Sequence, residues 1–99
     1  MNYITVVRGR IKGTPQEAQV GHDATVERLS AMTRPLGAIG HRPHLNPKDP
    51  NEFLAIDTWN NIEGLQKFMS DPQVAAAFGT LFEGMPDISV WAESDWASF

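Results

Sequence analysis

There is no cysteine among the 99 residues, which excludes a disulfide framework, a thiolate nucleophile and a zinc–thiolate site. Positive charge is also scarce. Lysine and arginine number 8 against 12 acidic residues, a net charge of -4, so a nucleic-acid partner held by a broad basic surface is not expected. No apolar run approaches the ~20 residues that a membrane span requires. The opening MNYITVVRGR has too short an apolar run for a signal peptide, and Arg8 follows it at once. The expectation is a cytoplasmic protein with no membrane partner. Gly9, Gly13 and Gly21 are too scattered for a phosphate-cradling loop. No serine stands beside a histidine and an acid in a pattern that supports nucleophilic hydrolysis.

What is present is the composition of a folded globular chain, 41% apolar and 20% charged. Its length predicts one domain over residues 1–99, with one core. YITVVRGRI, residues 3–11, is rich in β-branched side chains and predicts a strand. Thr14-Pro15-Gln16-Glu17 then carries a cap, a proline suited to the first helical position and a glutamate that can reach back to the cap. The helix is expected to run to Met32 or Thr33, where Arg34-Pro35-Leu36-Gly37 stops it. Ala18, His22, Thr25, Leu29 and Met32 form its inner stripe, with Val26 beside them.

AIGHRPHL, residues 38–45, predicts a weaker strand that Pro43 consigns to an edge or ends early. NPKDPN, residues 46–51, predicts a loop, and FLAIDTW, residues 53–59, a second strand of the same hairpin. A short helix with Leu65, Phe68 and Met69 follows Asn60-Asn61. Asp71-Pro72 restarts it with Val74, Ala77, Phe78, Leu81 and Phe82 inward. DISVWAE, residues 87–93, predicts the last strand.

The order strand, helix, strand, strand, helix pair, strand suits an α+β ferredoxin-like antiparallel sheet with its helices on one face. The strand at 53–59 is apolar on both sides. Phe53, Ala55, Asp57 and Trp59 share one face, and Leu54, Ile56 and Thr58 the other. Helices of one chain cover only one of these. A second copy pressing its sheet against the first is the simplest cover for the other, so the expected partner is a homodimer mate. Trp96 and Phe99 in the tail are candidates to reach it.

Asp57-Thr58-Trp59, the amphipathic stretch Ile62 to Met69 and the Ser70-Asp71-Pro72 restart resemble the dimeric α/β barrels, and among them the antibiotic-biosynthesis-monooxygenase-like domains. The resemblance spans nearly the whole chain in element order and is most specific over residues 53–78. It implies a dimeric α/β barrel with a pocket between sheet and helices, and chemistry that uses no bound organic cofactor. Departures are informative. Phe68 and Gln73 stand where oxygenase-like members often carry histidines. Phe68 and Ala75 to Phe78 replace the tryptophan–histidine pair of haem-degrading relatives. Haem degradation is therefore not implied, and a general oxygenase role is weakened.

His22, on the inner stripe, is the candidate base. A neutral imidazole there can accept a proton from an acidic phenol or enol. The plainer reading has it partly buried and bonded to a backbone carbonyl or to Asp57. Asp57 is the second catalytic candidate if buried, and only hydrogen-bonded if it lies at the sheet end. Trp59, Phe53, Phe68, Phe78 and Phe82 are candidate walls for a small, flat aromatic ligand, although plain core is the favoured reading. Arg8, with Arg10 and Lys12 on one strand face, is a candidate for binding an anionic ligand group. Salt bridges to residues such as Glu52, Glu93 or Asp95 are the favoured alternative. His41 and His44 lie three apart, which sends them to opposite strand faces, so no metal site is expected.

Two functions remain open on the sequence. One is a small cofactor-independent monooxygenase-like or isomerase-like enzyme acting on an aromatic or polyketide-like molecule. The other is a non-catalytic ligand-binding or structural homodimer of the same fold. An open cavity beside His22 would favour the first. A space plugged by Met32, Phe68 and Phe82 would favour a structural role.

Overall fold

The computed structural model describes residues 1–99. Tyr3–Arg10 forms strand β1, and Ile11 continues it as an isolated bridge to Phe82. Helix α1 spans Pro15–Thr33. Its capping box forms as the sequence requires, with the Glu17 amide donating to the Thr14 hydroxyl and the Glu17 carboxylate accepting from the Thr14 amide. A single 3₁₀ turn, Arg34–Leu36, follows and ends at Gly37 with φ of +106°, a left-handed conformation that glycine adopts freely.

Strand β2 is Ala38–Asn46 and strand β3 is Asp49–Trp59. The expected loop over residues 46–51 is mostly strand, and only Pro47 and Lys48 turn the chain between β2 and β3. The pairing compensates with register shifts near both ends, at Ala38/Gly40 and at Leu45/Asn46. Helix α2, Ile62–Ser70, is capped by Asn61, whose side chain accepts from the amides of Glu63 and Gly64. Asp71 caps helix α3, Pro72–Leu81, by accepting from the Gln73 amide, with Pro72 at the first position. Asp87–Ala92 forms β4.

The strands pair antiparallel in the order β2-β3-β1-β4, giving the expected ferredoxin-like α+β sheet. Pro43 lies on an edge strand, where its missing N–H costs no ladder bond. The register also assigns the two faces of β3. Tyr3, Thr5 and Val7 lie opposite Trp59, Asp57 and Ala55, on the face beneath the helices. Ile4, Val6 and Arg8 lie opposite Thr58, Ile56 and Leu54 on the other face, where those apolar residues are only partly covered and Trp91 is 58% exposed.

Beneath the helices are two apolar clusters. Trp59, Leu65, Phe68 and Val74 pack under α2 and α3, with Met32 and Leu36 at the margin. Val7, Ile11, Phe53, Ala55 and Phe82 form the other, and Phe78 touches both. The packing of α2 is close: a Cβ on Gly64 would fall 1.7 Å from the Leu36 carbonyl oxygen. Helix α1 presents the expected stripe of Ala18, His22, Thr25, Leu29 and Met32, yet none of its residues is fully buried. It stands off the sheet. No helix is long and apolar enough to cross a membrane.

Candidate active site

The space left by α1 is a partly open cavity of about 630 Å³, within the range of ~300–1,000 Å³ usual for small-molecule sites. Thr25, Val26 and Leu29 line it from α1, and Phe68 and Phe78 from α2 and α3. His41, Phe53, Asp57 and Trp59 line it from the sheet. A second cavity of about 300 Å³ adjoins it, bordered by Gln16, Gln19, Asp23 and Leu45. The two share His22, Phe53, Leu81 and Phe82, so the His22 imidazole stands between them.

Two independent periodicities bring the polar groups together. The helical stripe turns His22 toward the sheet. The β2–β3 register sets His41 directly opposite Asp57 on the helix-side face. His22 Nε2 lies 2.9 Å from His41 Nε2, and with ring centroids 5.1 Å apart and planes 25° from parallel the two imidazoles meet end to end. His41 Nδ1 lies 2.5 Å from Asp57 Oδ1, while the Thr5 hydroxyl donates to Asp57 Oδ2 at 3.4 Å. At the outer end, His22 Nδ1 is 3.0 Å from Asp23 Oδ1. Asp23, His22, His41 and Asp57 thus form one continuous chain of polar contacts along the cavity walls.

Of the residues singled out in the sequence, His22, Asp57, Phe53, Trp59, Phe68, Phe78 and Phe82 all line the larger cavity. Core and wall prove compatible, because Phe53, Trp59, Phe68 and Phe82 are also buried in the two clusters. Met32 packs beside Trp59 without plugging the space. Trp59 is 1% exposed, and its buried indole Nε1 has no hydrogen-bond partner. His22 does not bond Asp57 directly, since His41 stands between them. His41 is the residue the sequence undervalued; its signal was the hairpin register, hidden by the bulges.

Arg8 is corrected. It lies on the opposite face of the sheet, where its guanidinium binds Glu52, and it reaches neither cavity. Glu52 is held below the ordinary carboxylate range by its hydrogen bond from Arg8, helped by Asn46, and Arg8 is raised in turn by Glu52. Arg10 pairs likewise with Asp49, which it holds below the usual range. Lys12 donates to the Gly79 carbonyl at 2.7 Å. His44 faces away from His41, opposite Leu54, and borders the smaller cavity. No three metal-ligating side chains converge anywhere in the chain.

No protein-family model matches the chain, and no curated protein matches it in sequence. Solved structures do match in shape. SnoaB, a cofactor-independent oxygenase from Streptomyces nogalater, superposes with a TM-score of 0.72 at 16% identity, over 95% of this chain and 94% of that one. A candidate antibiotic biosynthesis monooxygenase from Chloroflexus aurantiacus J-10-fl gives 0.66 at 20% identity, over 99% and 98%. Another from Nitrosomonas europaea gives 0.68 at 13%, over 98% and 94%. Likeness at such low identity speaks to architecture: the chain has the protomer fold of the antibiotic-biosynthesis-monooxygenase-like dimeric α/β barrels, as its sequence resemblance implied.

Proposed function

We propose that the protein is a small cofactor-independent enzyme that oxidises or isomerises an acidic aromatic or polyketide-like molecule. The observation that carries this reading is an imidazole pair set in the wall of an aromatic-lined cavity of about 630 Å³. His22 removes a proton from a phenol or enol, and Phe53, Phe78, Phe82 and Trp59 hold the ring system. The resulting anion is electron-rich. It either takes up the proton at another carbon, shifting a double bond, or passes electrons to molecular oxygen. One oxygen atom is then inserted at a ring CH2 to give C=O, while the other leaves as water with the two hydrogens of that carbon. Similarity to a cofactor-independent oxygenase supports the second branch.

His22→Ala is expected to lower turnover of an acidic phenol by about a hundredfold to ten-thousandfold. Unchanged turnover would remove His22 from the mechanism.

The working unit is a homodimer joined through the sheet faces, acting in the cytoplasm, with each chain one domain. What supports the pairing is the apolar strip of Ile4, Val6, Leu54 and Ile56 on the uncovered face, with Trp91 beside it. Sedimentation at micromolar concentration should give twice the 11.0 kDa of one chain, and Ile56→Asp should return it to a single chain. A native protein that sediments at 11.0 kDa would refute the pairing.

A further inference from the structure

A carboxylate only accepts hydrogen bonds, and a neutral imidazole that donates from one nitrogen accepts at the other. These two rules place the protons along the chain of contacts at the cavity wall. Asp57 accepts from Thr5 at Oδ2 and faces His41 Nδ1 through Oδ1, so the hydrogen of that contact belongs to His41 Nδ1. A neutral His41 then has a bare Nε2. Two nitrogens 2.9 Å apart need one hydrogen between them, and it sits on His22 Nε2. Two neutral rings can serve only one of the two flanking carboxylates. Asp57, 2.5 Å from its nitrogen and 16% exposed, outcompetes Asp23 at 3.0 Å and 64%, so the free lone pair is left on His22 Nδ1.

We infer that His22 takes the substrate's proton at Nδ1, because Asp57, acting through His41, keeps the other nitrogen protonated. This rests on the base role proposed above for His22, and it locates the reacting end of the substrate. Asp23 borders only the smaller cavity and His41 only the larger, so the two nitrogens of His22 serve different compartments. The acidic hydroxyl is received in the smaller one, beside the Gln16 and Gln19 amides. The apolar body of the ligand runs along Phe53 and Phe82, which border both.

In the step itself the substrate O–H bond breaks, the proton moves to Nδ1, and the electron pair stays on the oxygen. The imidazolium so formed donates from Nδ1 to Asp23 Oδ1, 3.0 Å away, and from Nε2 to His41. Before transfer the Asp23 carboxylate, whose side chain is 64% exposed, turns from the lone pair toward solvent. After transfer it is the counter-ion. His41 and Asp57 act through His22 and are positioning residues, and Asp57 is thereby relieved of the role of base.

The test is nitrogen-15 NMR of the ligand-free protein, read beside kinetics on an acidic phenol. His41 is expected to carry its proton on Nδ1 and His22 on Nε2. The isosteric change Asp57→Asn presents an amide donor to His41 Nδ1, which moves the His41 proton to Nε2 and drives His22 into the opposite tautomer. Its kcat should fall at least about a hundredfold with KM little altered. His41→Phe removes the acceptor altogether and should leave His22 sampling both tautomers. An unchanged His22 tautomer in these variants would overturn the inference. So would stoichiometric uptake of zinc by both Nε2 atoms, which would put a metal where the proton belongs. A tautomer switch in a protein that turns over no phenol would refute the proposed function alone and keep Nδ1 as the basic nitrogen.

Discussion

Helices α1 and α2 face the same sheet and treat it differently. The nine residues of α2 bury Gly64, Leu65 and Phe68, whereas the nineteen of α1 bury none. The cause lies in the inner stripes. Leu65 and Phe68 interdigitate with Trp59 and Val74, but α1 offers His22, Thr25, Ser30 and Thr33 to the same space. Thr25 and Ser30 satisfy their hydroxyls on the Gly21 and Glu27 carbonyls of their own helix, so what α1 lacks is the large apolar surface whose burial would draw it onto the sheet. Stability is thus concentrated under α2 and α3, and the candidate site sits where packing is left incomplete.

The contrast breaks most sharply at Gly64. Gly64→Ala drives a methyl into the Leu36 carbonyl and should cost about 4 kcal/mol or more in urea unfolding. Leu65→Ala, at a position 1% exposed, should cost about 3 kcal/mol by the same measurement. Leu29→Ala on α1 removes the same atoms from a cavity wall, and about 1 kcal/mol is expected because no close packing is lost. Equal losses at Leu29 and Leu65 would erase the distinction between the two halves.

The smallest effect belongs to the far face of the sheet. Glu52 and Asp49 are held below their ordinary values of 4.5 and 3.8 by their arginine partners. The unfolded chain therefore binds more protons than the folded one as acid is added. The stabilisation is complete above those ordinary values and fades as pH falls through the lowered ones. Both pairs are exposed and solvent-screened, so Glu52→Gln should only slightly flatten the stability curve below pH 4.5. A large acid-sensitive loss at that position would show a stronger pairing than the exposed geometry allows.

Much of this architecture was legible because local signals agreed with one another. Thr14, Asn61 and Asp71 announce three helix starts, and Pro43 announces an edge. His22 was legible from a single stripe. Its partner was not. Placing His41 against Asp57 requires the hairpin register, and the residues 46–51 read as a loop when most of them are paired strand. A shift of one residue reverses which way every side chain points, so the irregular pairing at Leu45/Asn46 hid the second imidazole. The Arg8 ambiguity had a related origin, since alternation alone could not say which face of β1 lay under the helices.

The leftover indole donor has a practical use. Trp91 and Trp96 are well exposed to water, whereas Trp59 is buried and lines the larger cavity. Replacing the two outer tryptophans with phenylalanine would leave one blue-emitting fluorophore inside the molecule. Its emission would then report occupancy directly, before any turnover is detected, and an aromatic guest would announce itself by quenching.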